Sequence, residues 1–141
     1  MAQMTEAEWR EFVMAGTRTG KLAVTRRDGR PHVTPVWFAL DGGDIVLTTP
    51  STGVKARVLR RSPSAALCVD DQQPPYSFVL IEGAAELSED LAELRHWATV
   101  LGGRYMGADR AQEYGRRNGV PGELLVRLHI GKVIAERGIA S

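Results

Sequence analysis

The run Thr48-Thr49-Pro50-Ser51-Thr52-Gly53-Val54-Lys55-Ala56-Arg57-Val58-Leu59-Arg60-Arg61 concentrates residue types that bind an anion. It passes from a strand end, through four hydroxyls and a glycine, into the start of a helix. A helix N-terminus presents unpaired N–H groups and the positive end of the dipole, so phosphate sits there readily. Thr48, Thr49 and Ser51 offer further donors, and Gly53, Val54 and Lys55 complete the seat. With Ser51 or Thr52 as N-cap, Lys55 falls in the first turn, where a cation opposes the macrodipole by roughly 0.3–1 kcal/mol. On a helical wheel Lys55 also lies among Val54, Val58 and Leu59, inside the apolar stripe. A charge there is costly unless paired. Both conflicts vanish if phosphate occupies the helix end. Alternatively the hydroxyls only cap the helix, and Arg57, Arg60 and Arg61, projecting from its other side, form a solvated face. The phosphate-binding P-loop spacing is absent.

A second stretch suits a planar ring. In His32-Val33-Thr34-Pro35-Val36-Trp37-Phe38-Ala39-Leu40, alternation puts His32, Thr34, Val36 and Phe38 on one face and Val33, Pro35, Trp37 and Ala39 on the other. Past Thr34 both faces are apolar, which predicts a strand buried on two sides. Pro35 cannot donate to a ladder, so it belongs at an edge, a bulge or beside a ligand. A ring against this strand would use the backbone near Pro35 and Val36 and the Thr34 hydroxyl. Trp37 and Phe38 also suit a barrel core, and His32 suits a surface or satisfied histidine.

The elements that must carry these residues are mostly strands. Thr5 and Glu8 form a capping box for a short helix whose Trp9, Phe12 and Val13 share an apolar face. Lys21 to Arg26 alternates into Asp28-Gly29, a two-residue hairpin signal that asks for positive φ at both positions. Pro31 to Leu40 returns, Asp41-Gly42-Gly43 turns, and Asp44 to Thr49 completes a predicted three-stranded meander. A helix from Thr52 to Arg61 follows, then strands Ser64–Val69 and Tyr76–Leu87, with Gly83 marking a bend or bulge. Ser88 is expected to cap a helix to Leu101, with Leu91, Leu94 and Trp97 inward and Gly102-Gly103 as its breaker. Ala108 to Arg117 reads as another short helix. Glu123–Ile130 and Lys132–Glu136 read as two strands around Gly131. Six or seven antiparallel strands with peripheral helices predict one α+β, mostly β domain over residues 1–141, built on a closed or partly closed barrel.

Composition bounds the function. The 141 residues carry 18 Lys and Arg against 17 Asp and Glu, a net charge of +1. A dedicated nucleic-acid binder would be strongly basic. Cys68 stands alone, so neither an internal disulfide nor a thiolate metal cluster is possible, and an inert buried thiol is expected. His32, His96 and His129 lack ligand spacing. No apolar run approaches the ~20 residues that span a bilayer. The first residues lack a signal-peptide core, so a cytoplasmic location is expected.

Taken in order and spacing, Gly29 to Phe38, Thr48-Thr49, Lys55 to Pro63, Val79 to Leu87 and Lys132-Val133-Ile134 resemble the pyridoxamine-phosphate-oxidase-like split-barrel superfamily. Within it the chain looks most like the branch that uses the deazaflavin coenzyme F420. The resemblance implies an antiparallel, FMN-binding-like split β-barrel that forms homodimers with two cofactor sites at the interface. It maps the phosphate-contacting lysine onto Lys55, the hydroxyl-bearing strand end onto Thr48 and Thr49, and the ring-contacting strand onto His32 to Trp37. Many members carry arginine two residues before that lysine, where this chain has Gly53; Arg57 or Arg60 would have to compensate.

The implied activity is hydride transfer between F420 and a small unsaturated or quinone-like molecule, the cofactor carrying the chemistry and the protein orienting it. No Ser-His-Asp, Cys-His or paired-carboxylate pattern stands out, and no catalytic acid is nominated. The alternatives are an FMN-dependent oxidase or reductase of the same fold, and a non-catalytic binder of F420 or haem. The 102–122 insertion has no assigned role; Arg104, Arg116 and Arg117 would meet a glutamate tail or form a solvated helix face.

Overall fold

The first helix forms where local chemistry puts it. In the computed structural model, which describes residues 1–141, α1 spans Glu6–Met14. The Glu8 N–H donates to Thr5 Oγ1 at 3.2 Å, and the Thr5 N–H donates to Glu8 Oε1 at 2.8 Å. Two orphan donors are thus satisfied reciprocally. Trp9 and Val13 sink into the barrel core with Phe12 beside them. A two-residue strand, β1 (Ala2–Gln3), precedes the helix.

Strands β2 (Gly20–Thr25) and β3 (Pro31–Val36) make the expected hairpin. Its turn is not the two-residue form. The Gly29 N–H donates to Arg26 O at 2.9 Å and the Arg26 N–H donates to Arg30 O at 3.0 Å. Only Gly29 has positive φ, at 88°. This is a three-residue loop with glycine in the left-handed position.

The predicted strand from Pro31 to Leu40 is broken at Trp37 and Phe38. A separate strand, β4 (Ala39–Asp41), pairs with β5 (Asp44–Pro50), whereas β3 pairs with β2, so the three-stranded meander does not form. The remaining elements are α2 (Val54–Arg61), β6 (Ser64–Asp71), β7 (Ser77–Ser88), α3 (Leu91–Met106), a 3-10 turn at Ala108–Arg110, α4 (Ala111–Asn118) and β8 (Glu123–Arg137). The antiparallel path runs β3-β2-β6-β7-β8-β5-β4, with β1 added against β8. Its end strands β3 and β4 are separated in the chain only by Trp37 and Phe38. At 3.8 Å per Cα step, Val36 and Ala39 lie at most about 11 Å apart. A seven-strand path whose edges are tied that closely must curl into a barrel, closed there by chain instead of a ladder. This is the expected mostly β split barrel, with eight strands once β1 is counted.

Two expected breaks are not breaks. β8 runs unbroken through Gly131: Glu82 faces Lys132 while Gly83 faces Ile130, leaving Gly131 as the extra residue of a bulge. Gly83 sits at that bulge as predicted, because a Cβ there would collide with the His129 carbonyl. Helix α3 likewise continues through Gly102 and Gly103 to Met106. Its N-cap is Asp90, which accepts from the Ala92 and Glu93 N–H groups at 3.0 and 3.1 Å; Leu91 is exposed, not inward. Inside the barrel Leu22, Phe38, Ile45, Leu47, Leu67, Ile81 and Leu128 form the core. Val46, Leu94 and Leu125 form a smaller cluster with α3, so β5 is buried on both faces.

Candidate functional site

Helix α2 begins at Val54, and its N-cap is Gly53, with no side chain capping it. Ser51 and Thr52, expected as caps, stay outside in a strap. The Ser51 N–H donates to Gly122 O at 2.8 Å, and the Gly53 N–H donates to Pro50 O at 3.2 Å. Lys55 is therefore the second residue of the helix, and its conflict with the dipole stands.

The Lys55 ammonium crosses to β3 and finds no counter-charge there. Its Nζ donates to Thr34 Oγ1 at 3.2 Å, and that neutral hydroxyl is the only side-chain acceptor it meets. His32, two residues earlier, lies on the same face of β3. Its Nδ1 is buried without a hydrogen-bond partner. Burial, and then the charges of Arg26 and Lys55, hold its pKa below the ordinary 6.5. The ring is neutral at neutral pH. His32, Thr34 and Lys55 are thus brought together.

The other expected residues divide. Thr49 is buried and its Oγ1 has no partner, while Thr48 is half-buried on the opposite face of β5, so the two hydroxyls do not converge. Val36 belongs to the barrel core. Pro35 is exposed and Val33 is 59% exposed, so within one chain β3 is not buried on both sides. Arg60 donates to Ser51 O at 2.9 Å and braces the strap. Val54 and Arg57 face an outward groove shared with Arg26, Arg27, Val58 and Arg61. Trp37 turns away to the insertion, stacking on Tyr105 with centroids 5.2 Å apart and planes at 6°, and meeting Tyr114 edge-on at 5.6 Å.

Arg104, for which a glutamate tail or a solvated face was expected, does neither. Its guanidinium donates to the carbonyls of Val13 at 2.7 Å, Gly16 at 3.1 Å and Phe38. Burial lowers its pKa, and this ring of carbonyls holds the charge. Tyr105 Oη accepts from the Phe38 N–H at 3.2 Å and donates to Arg18 O at 2.8 Å. The insertion therefore fastens the Trp37–Phe38 junction where the barrel's edges meet. Nothing in the local sequence pattern marks these two residues. Cys68 is half-buried, and burial pushes its thiol pKa up, as an inert thiol requires. No helix is long and apolar enough to cross a membrane.

This arrangement can grip a phosphate at α2 and lay a flat group along β3. Among solved structures the chain is similar to the conserved hypothetical protein Rv2991 from Mycobacterium tuberculosis, with 29% identity and a TM-score of 0.84 over 98% of this chain and 89% of that one. It is similar to an F420 reductase, with 25% identity and a TM-score of 0.69 over 87% of this chain and 94% of that one. HutZ, the heme storage protein from Vibrio cholerae, shares the fold, with 19% identity and a TM-score of 0.71 over 96% of this chain and 98% of that one. Residues 5–135 match the family model for pyridoxamine 5'-phosphate oxidase. That span takes in the barrel, the strap and the lysine at its end, and the chain belongs to the pyridoxamine 5'-phosphate oxidase family.

Proposed function

We propose that the chain is an F420-dependent reductase, with the cofactor phosphate at Lys55 and its ring along β3, acting on a small unsaturated or quinone-like molecule. The observation that carries this is Lys55 itself: a cation at the second position of an uncapped helix, with a neutral hydroxyl for its partner. A protein gains nothing in stability from such a placement. Buried polar atoms are normally paired, and the two that are not, His32 Nδ1 and Thr49 Oγ1, lie on β3 and on the strand leading into the strap. These orphans suit a site that a polar ligand completes.

Bound there, the deazaflavin supplies the hydride. Lys55 neutralises phosphate charge, and Thr34 holds its ammonium against β3, out of open solvent. The N–H groups of Val54, Lys55 and Ala56, free of any side-chain cap, point at the same end. As an end strand, β3 keeps outward backbone carbonyls at Pro31, Val33 and Pro35 that no ladder uses, with Val33 carrying the one outward N–H because proline has none. Neutral His32 offers one donor and one acceptor and brings no charge to the ring. The exposed side of β3, with Val33 and Pro35, supports a homodimer with the two cofactor sites at its interface.

A fluorescence titration with F420 and with FMN tests this. The native chain is expected to bind F420 in the micromolar range, and Lys55→Ala to weaken it by about 1–3 kcal/mol, the scale of a charge-assisted contact. Equal affinity in the variant removes the site. Binding of FMN with refusal of F420 moves the assignment to an FMN enzyme, which the family match equally supports. Turnover of the reduced cofactor with a substrate panel separates an enzyme from a carrier.

A further inference from the structure

Val54, Arg57, Val58 and Arg61 fall at i, i+3, i+4 and i+7 of α2 and share one face, which Lys55 does not join. That face and the tip of the β2–β3 hairpin enclose a groove of about 510 Å³. Its lining is four arginines, Arg26, Arg27, Arg57 and Arg61, with Val54 and Val58, and no acidic residue. The hairpin's own carboxylate, Asp28, is taken by Arg30 at 2.8 Å. None of the four guanidiniums has a carboxylate partner, and the single hydrogen bond among them runs from Arg61 to Thr25 O at 3.3 Å. Asp28 feels the Arg26 charge through space, but its ion pair is with Arg30, and no carboxylate lines the groove itself. Like charges lining one groove repel one another, and an anion relieves this.

We propose that this groove is a second anion site, separate from the Lys55 seat, for a small molecule bearing three or four adjacent negative charges. Four guanidiniums match that charge, and their planar forks grip phosphate or carboxylate oxygens in pairs. The two valines give an apolar floor for an organic body, and the volume is that of a small-ligand pocket. The cations sit in one groove instead of along a stripe, and the whole chain is only +1, which disfavours nucleic acid as the occupant. The site stands whether or not the cofactor assignment does.

Isothermal titration of the full chain with tripolyphosphate, ATP, citrate and inorganic phosphate tests it. Tripolyphosphate or ATP is expected to bind at least roughly tenfold more tightly than inorganic phosphate, because each added anionic group meets another guanidinium. Measured in the Lys55→Ala background, so that the seat at α2 contributes nothing, the double variant Arg27→Gln/Arg61→Gln should lose roughly tenfold or more in affinity, whereas the exposed Arg116→Gln should retain it. Unchanged thermal midpoints confirm that the exposed substitutions leave the fold intact. A preference for citrate over the phosphates keeps the site and assigns it to polycarboxylates. No binding by the native chain, or binding that survives the double variant, overturns the proposal. So does loss in Lys55→Ala to the same extent, or tighter binding of a short DNA duplex than of any small anion.

Discussion

Arg104 donates to the carbonyl of Phe38 across 66 residues of chain, tying α3 to the point where the barrel's two edges meet. The same guanidinium serves Val13 and Gly16, so one side chain satisfies carbonyls on three segments. Arg104→Met keeps much of the stem and removes every donor. Hydrogen bonds to charged groups are worth about 1.5–3 kcal/mol each, and partial hydration of the freed carbonyls offsets some of the loss. A destabilisation of about 3 kcal/mol is expected in urea unfolding, against less than about 0.5 kcal/mol for exposed Arg116→Met. Equal midpoints for the two variants would show that the clasp contributes nothing.

Gly102 and Gly103 are adjacent in α3 but not equivalent. A Cβ on Gly102 collides with Tyr114 Cβ, an atom fixed to the α4 backbone, whereas a Cβ on Gly103 lies 3.3 Å from the methyl of Ala111. Helix propensity alone favours alanine at either position by about 1 kcal/mol. Overpacking costs about 1–3 kcal/mol. We therefore expect Gly102→Ala to lower the thermal midpoint and Gly103→Ala to leave it unchanged or raise it. If Gly102→Ala stabilises the chain, the helices do not pack this closely in solution.

These glycines also show which features the sequence made legible. The capping box at Thr5 and Glu8 depends on neighbours three residues away and forms as read, and the turn at Gly29 forms where read but as a three-residue loop with positive φ at Gly29 alone. The double glycine reads locally as a helix stop, and its real constraint is Tyr114 on another helix. The break at Trp37–Phe38 is equally non-local, since two end strands at opposite ends of the sheet order must share those two residues. At the site, Lys55 was legible because it violates local preference, and Thr34 because period-two alternation puts it on the His32 face. Arg104 and Tyr105 were not, since their partners are backbone carbonyls up to 91 residues distant and any residue type supplies a carbonyl.

Two histidines give the stability opposite dependences on pH. His129 bridges Asp44 Oδ1 at 2.6 Å and Glu86 Oε2 at 2.8 Å, and these hydrogen bonds raise its pKa above 6.5. Its contribution is complete below 6.5 and disappears as pH rises through the folded value. His32 is shifted the other way, so the unfolded chain protonates first and stability falls as pH drops below 6.5. His129→Gln should be more destabilised at about pH 5.5 than at about pH 9, and His32→Gln should recover stability at about pH 5.5 relative to about pH 8. Urea midpoints across that range decide. Parallel pH profiles for both variants would mean that these rings do not titrate as their surroundings dictate.

Lys55 should show that its position costs stability while its charge binds the ligand. At the second residue of α2 its cation opposes the dipole, and its hydrogen bond to Thr34 joins neutral oxygen instead of a counter-charge. Lys55→Gln removes the charge, and its amide is too short to repeat the reach to β3. Removing the dipole conflict is worth roughly 0.3–1 kcal/mol, and losing one exposed-to-half-buried hydrogen bond costs about as much. The ligand-free variant should therefore be as stable as the native chain or slightly more so, in urea without added anion. Cofactor affinity should fall by about 1–3 kcal/mol in the same protein. Stability and binding thus separate at one residue, as they do wherever function holds a group against the preference of the fold. A variant that loses both together would make Lys55 a structural residue, its bond to Thr34 serving only to join α2 to the barrel.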